Sequence, residues 1–294
     1  MYAKPNNLGS LNPFACTDNV ISVGSYNTRI DYTIMCGDTY CRPDITELNG
    51  ISSFSSYCTS HYGKAKPDVV APGGNIISVL PILYEDNEII VINKPSGLLS
   101  VASDTEKGRT AYRMVNDYVQ QKDKHNRIFV VHRLDEDTSG VLMFAKNPKI
   151  RDIMQKEWND IVLARGYYAV VEGRMEKPQD KFIDYLKENS LNLMYVSNDR
   201  TNGKKCITSY KVIKSNKNYS LLDVDIETGR KNQIRVQLGH RGHYVVGDDK
   251  YGEPSNPLNR LGLHAYKLKL IHPITKKLLE FVAPIPQEFE KLFK

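Results

Sequence analysis

From residue 82 onward the chain alternates short apolar runs with charged or turn-forming stretches, and most runs carry a readable period. Ile89–Ile92 is apolar throughout and is stopped by Pro95 and Gly97, which predicts a strand. Over Thr110–Gln121, the residues Ala111, Met114, Val115, Tyr118 and Val119 fall at i, i+3, i+4, i+7 and i+8, one face of a helix. Phe129–Val131 and Val141–Ala145 read as strands on either side of a charged knot. Lys149–Trp158 is expected to be helical and Ala164–Val171 a strand. Ser220–Ile226 alternates Leu222, Val224 and Ile226 with Asp223 and Asp225. Thr228–Gly229 then turns, and Asn232–Leu238 returns as a strand. That strand would set Ile234, Val236 and Leu238 against Gln233, Arg235 and Gln237. Residues 174–203 show no assignable pattern. The sum is an α+β fold, a mixed and mainly antiparallel sheet with flanking helices.

Residues 1–80 have another texture. Gly, Ser, Asn, Pro and Cys dominate, helical period is absent, and the change near residue 80 marks a boundary between residues 1–80 and 81–294. Charge divides along the same line. Residues 1–81 hold five Lys/Arg against six Asp/Glu, whereas residues 82–294 hold 35 against 28. A basic segment of this size suits an anionic partner, nucleic acid being the commonest large one, or is the mild bias of an ordinary soluble surface. Cys16, Cys36, Cys41 and Cys58 lie in the first segment and only Cys206 in the second, which suits a reducing cytoplasm. No run approaches the ~18–20 apolar residues of a membrane span. The first twenty residues lack a signal-peptide pattern, so a cytoplasmic protein without a membrane partner is expected.

Three segments hold candidate chemistry. "FVVHRLDEDTSGVLMFA" (129–145) packs His132, Arg133, Asp135, Glu136 and Asp137 between two apolar runs. A carboxylate there can serve as nucleophile or base, with Arg133 keeping it ionised or holding a phosphate; alternatively, Asp135 or Asp137 only caps the Asp-Thr-Ser-Gly turn. In "ARGYYAVVEG" (164–173), Tyr167 either stacks on a flat base or is a core aromatic. In "ETGRKNQIRVQLGHRGHYVVGDDKYG" (227–252), Arg235 sits among glutamines opposite an apolar face, with Arg230 and Lys231 at the turn and Arg241 beyond. Read together, they make a site of one carboxylate, one or two guanidiniums and an aromatic. No metal-ligand cluster, Walker loop or dinucleotide fingerprint accompanies them. The expected chemistry is carboxylate-centred, with no cofactor and no metal.

These segments resemble the RluA-type pseudouridine synthases, which isomerise uridine in ribosomal and transfer RNA. "HRLDEDTSG" is similar to the signature of that family. The resemblance runs over about residues 83–286 through "YEDNEIIVINKPSGLLS", "ARGYYA", "GKKCITSYKVI", the segment 227–252 and "LHAYKLKLIHPITKKLLEFVAPIP". It implies the family's catalytic fold with a central RNA-binding cleft, an RNA partner (rRNA or tRNA), and a monomer. Asp135 would attack the target uridine nucleotide. Arg133 would help displace the uridine, Tyr167 would pack beside the base and assist removal of the C5 proton, and Arg235 would pair with Asp135. His132, Arg230, Lys231 and Arg241 would be RNA contacts. Asn232 stands where many relatives have His, and Arg165 where Lys is commoner. No S4-type RNA-binding domain precedes the segment. A non-catalytic RNA-binding protein of the same fold is the alternative.

Residues 19–79 resemble a stretch of a subtilisin-like peptidase through "NVISVGSYNTR" and "KPDVVAPGGNIIS". The motif contexts of its Asp, His, oxyanion Asn and Ser are missing, so an inactive fragment is expected. A rival reading makes Cys36, Cys41, Cys58 and His61 zinc ligands.

Overall fold

A computed structural model describes residues 80–103, 110–252 and 255–293, together with the backbone of short strands between residues 23 and 74. The chain divides into two units, Met1–Ser78 and Val79–Lys294. In the first, Val23–Asn27 runs parallel to Val69–Gly74. Most of the peptidase-like stretch, and the side chains of the four candidate zinc ligands, lie outside the described residues.

The second unit is built on one sheet. In chain order its elements are β1 (Ile82–Glu85), β2 (Ile89–Lys94), α1 (Ala111–Lys122), β3 (Phe129–Val130), β4 (Ser139–Ala145), α2 (Pro148–Lys156), α3 (Trp158–Ile161), β5 (Val162–Glu172), β6 (Gln179–Glu188), β7 (Met194–Val196), β8 (Lys204–Ser215), β9 (Tyr219–Ile226), α4 (Gln233–Gly239), β10 (Leu263–Ile271), β11 (Leu278–Val282) and α5 (Gln287–Lys291). The strand order is β7-β6-β8-β9-β5-β10-β4-β2-β1, with β11 added on β10 and β3 on β4. All the pairings are antiparallel except β4 with β10.

The apolar run of β2 is continuous because both of its faces are covered. Ile90 and Ile92 pack with Leu142, Phe144 and the Ala111, Val115 and Val119 stripe of α1. Ile89 and Val91 pack with Val141, Met143, Ile150 and Met154 on the other side. Thr110 caps α1 by accepting the Arg113 N–H at 3.1 Å, and Asn147 caps α2 by accepting the Ile150 N–H at 2.9 Å. The helix expected over Lys149–Trp158 is thus present but broken at Glu157. The unpatterned 174–203 stretch supplies β6 and β7.

Two halves of the sheet meet at β4 and β10, through only Ser139 opposite His264 and Gly140 opposite Ala265. From Lys267 onward that edge of β10 belongs to β11. Gly140 is required at this crossing. Its φ is +114°, and a Cβ there would lie 2.1 Å from the Ala265 carbonyl oxygen. Side chains reinforce the contact: the buried Ser139 hydroxyl lies 2.7 Å from the buried His264 Nδ1 and accepts from the half-buried Arg260 Nη2 at 2.6 Å. Gly140→Ala should therefore destabilise the protein by about 1–3 kcal/mol or more through overpacking at a backbone crossing. Urea unfolding at constant m-value checks this.

Candidate active site

The charged knot is a loop between the half-buried β3 and the fully buried β4, and a second segment clamps it from below. Lys94, with 0% exposure, ends β2 and sends its ammonium to the carbonyls of Pro95 (2.9 Å), Leu98 (2.6 Å) and Glu136 (2.8 Å). Burial pushes its pKa down to about 7. The three carbonyls nevertheless match the three N–H groups of the charged form, where a neutral amine would set its lone pair against one of them. Ser96 Oγ donates to the Asp137 carbonyl at 2.6 Å, and the Gly97 N–H to the Glu136 carbonyl at 3.1 Å. Ser100 exchanges two hydrogen bonds with the Leu134 backbone. The segment "KPSGLLS" is thus the clamp on "LDED". A turn closed by the Thr138 N–H on the Asp135 carbonyl, at 3.2 Å, then leads into β4.

Asp135 stands in the wall between two clefts of about 350 and 550 Å³. Arg133, Leu134, Asp135, Asn232 and Arg235 border both. The structure therefore brings Asp135, Arg133, Tyr167 and Arg235 to one place, with Tyr167, Arg165, Trp158 and Arg230 lining the smaller cleft. Arg133 is exposed on the rim. Burial pushes the Tyr167 hydroxyl up to about 12, so it is a neutral phenol at physiological pH.

Several expectations are corrected. Residues 233–239 form a short helix, α4, rather than a strand. Ile234 and Leu238 enter one apolar cluster, and Gln233 and Gln237 bind Thr208 on β8, the former donating at 2.8 Å and the latter accepting at 2.6 Å. Gln237 also donates to Asp184 at 2.6 Å. These partners are four residues apart, so the period is helical; over six residues an alternating pattern fits the same letters.

Arg235 does not pair with Asp135. Its guanidinium donates to both oxygens of Asp248, Nε at 2.8 Å and Nη2 at 2.6 Å, with both side chains nearly fully buried. Burial opposes that charge and Asp248 more than offsets it, so the pKa of Arg235 is raised. The group that reaches Asp135 is Asn232, whose Nδ2 donates to Oδ2 at 2.6 Å.

His132 lines the smaller cleft. Its Nε2 accepts the Met143 N–H at 3.0 Å, its ring lies 5.1 Å from that of Trp158, and burial with the Arg165 charge pushes its pKa down to about 4. Arg241 is held by Asp184 at 2.9 and 3.1 Å and packs over Phe182. Lys231 is exposed and paired with Glu188, and Arg230 is exposed with its Nε on the Lys205 carbonyl at 3.1 Å. Lys94, Asp248 and Tyr251 were not marked by the pattern, since each acts through a partner far along the chain. Among the described residues, no group of three or more His, Cys, Asp or Glu side chains is placed to hold a metal ion. Among the described residues, no helix is long and apolar enough to cross a membrane.

Removing the carboxylate under Arg235 tests how much the wall depends on that pair. Asp248→Ala should cost about 3–5 kcal/mol by leaving a buried guanidinium with only the exposed Asp249, at 3.9 Å, as counter-ion, read as a lowered midpoint in urea. A surface-like loss below about 1 kcal/mol would refute it.

Residues 88–240 match the RNA pseudouridylate synthase family, and residues 3–128 match the subtilase family. The two overlap in β2, a strand of the sheet, and α1, which packs against it. The uncharacterized RNA pseudouridine synthase YhcT of Bacillus subtilis (strain 168) is 34% identical over 224 residues, covering 72% of this chain and 71% of that protein. Ribosomal large subunit pseudouridine synthase D of Haemophilus influenzae is 32% identical over 227 residues, 72% of this chain and 69% of its own. The structure of human RNA pseudouridylate synthase domain containing 1 superposes with a TM-score of 0.58 at 25% identity, covering 74% of this chain and 86% of that one. With the family match spanning residues 88–240 and identity above 30% across nearly three quarters of its length, the chain belongs to the RNA pseudouridylate synthases.

Proposed function

We propose that this pseudouridine synthase works through Asp135, as the carboxylate that attacks the uridine nucleotide, within residues 81–294 as the catalytic domain. The observation that carries this reading is the position of Asp135. It lies on a clamped loop in the wall of a cleft, with Arg133 on the rim and Tyr167 beside it. The isomerisation breaks the N1–C1′ bond and forms C5–C1′, while C5 loses a proton and N1 gains one. Atoms and electrons balance without an oxidant or co-reactant, so a carboxylate and a proton acceptor suffice.

Arg133 fills or holds open the place of the displaced base, extrusion of which costs a few kcal/mol. Tyr167 packs beside the base as a neutral phenol. Arg235, tied to Asp248, contributes charge to the wall without touching Asp135. Arg133, Arg230 and Lys231 offer phosphate contacts at the exposed rim. The substrate is a structured ribosomal or transfer RNA, the former being what the Haemophilus relative is named for. The enzyme acts as a cytoplasmic monomer, and residues 1–80 are an inactive peptidase-like fragment.

Asp135→Ala should lower tritium release from [5-³H]uridine-labelled rRNA and tRNA transcripts by roughly a thousandfold or more, as loss of a nucleophile does. Turnover near wild type would sink the mechanism. RNA affinity should persist in this variant. The measurement is built in: Trp158, the chain's only tryptophan, lines the smaller cleft, so RNA entry should change its emission. An unchanged spectrum at saturating RNA would place binding elsewhere.

A further inference from the structure

Asn232 occupies an unusual conformation and an unusual place. Its φ of +52° and ψ of +24° put a non-glycine residue in the left-handed region, at the start of α4. Asn tolerates that region better than most residues. Its side chain does not cap the helix it precedes. Instead it turns into the wall, 7% exposed, and donates from Nδ2 to Asp135 Oδ2.

The far end of the amide is fixed as firmly. Oδ1 accepts from the Tyr251 hydroxyl at 3.1 Å and from Lys250 Nζ at 3.5 Å. The Tyr251 oxygen in turn accepts the Met194 N–H at 3.1 Å. An ammonium and a hydroxyl proton on one side, and a carboxylate on the other, permit only one orientation of the amide. Reversed, its oxygen would face Asp135.

We propose that Asn232, oriented by Tyr251, is the positioning residue for Asp135 in this chain, the part expected of Arg235. The assignment rests on the reading of Asp135 as the nucleophile. The guanidinium of Arg235 is spent on both oxygens of Asp248. One oxygen of Asp135 is therefore tethered by a neutral donor, which fixes the plane of the carboxylate and leaves its other oxygen for the nucleotide. An attacking group held in this way reacts from a narrow range of geometries.

The test uses the full chain and the same [5-³H]uridine-labelled rRNA and tRNA transcripts. Asn232→Gly removes the amide and keeps the left-handed backbone free of strain. Its kcat should fall on the order of ten- to a hundredfold while KM stays near wild type, the signature of a misaligned nucleophile. Tyr251→Phe should lower kcat in the same direction by a smaller factor. Asn232→His, another residue that accepts positive φ and can donate an N–H, should recover part of the loss.

Wild-type kcat in Asn232→Gly, with Asp135→Ala inactive, would overturn the proposal and leave the nucleophile standing. A loss of activity that tracks thermal stability, raises KM equally and is not rescued by His would reduce Asn232 to a structural residue and also overturn it. Turnover surviving Asp135→Ala would remove the reading beneath it, and the proposal with it.

Discussion

The wall that holds Asp135 exists because two half-sheets touch at two residues. Ser139 and Gly140 meet His264 and Ala265 before β11 takes over the edge of β10. On one side of this seam lies the loop of Asp135, four residues upstream of Ser139. On the other, His264 is also the partner of Tyr168, so Tyr167 lies one strand away. Next to β5, β9 runs into the turn that starts α4 and carries Asn232. A contact this short tolerates little error. Its backbones approach within the volume of a methyl group, and a buried serine and histidine with a half-buried arginine bind it laterally. Arg260 also reaches Glu288 in α5 at 3.3 Å, so the carboxy-terminal helix is wired to the same point.

Several buried polar side chains surround the seam. The glutamines of α4 pin it to β8 and β6 through Thr208 and Asp184. A helix of seven residues is too short to hold itself in water, and these bonds, with Ile234 and Leu238 in the apolar cluster, hold it in place. The cations sort in the same way. Arg235, Arg241 and Lys94 are held by partners within the fold, whereas Arg133 and Arg230 are exposed. Only the second group gives an attraction that salt can screen.

Much of this was legible in the chain. Continuous apolar runs located β2 and β4, whose two faces are both covered, a period of 3.6 located α1, alternation located β9, and a run rich in Tyr and Val located β5. The charged knot between two apolar runs located Asp135 and Arg133, since a turn alone has no use for so many ionisable groups. What the pattern missed follows from its range. Residues 233–239 read equally as strand or helix over so few positions, and the choice was made by Thr208 and Asp184, 25 to 53 residues away. The partner of Arg235 was hidden for the same reason. Asp135 and Asp248 are both carboxylates, and only the fold says which one a buried guanidinium meets. Residues 174–203 carry strands with one exposed face, Ile183 and Tyr195 included, so no clean alternation reached the sequence.

The amide at position 232 has one more consequence. A carboxylate tethered by a guanidinium feels a full opposite charge, and one tethered by an imidazole feels a partner that gains or loses a proton near neutrality. A carboxamide does neither, since it has no titratable proton in that range and no net charge to screen. The group that tethers Asp135 is thereby itself uncharged and does not titrate near neutrality.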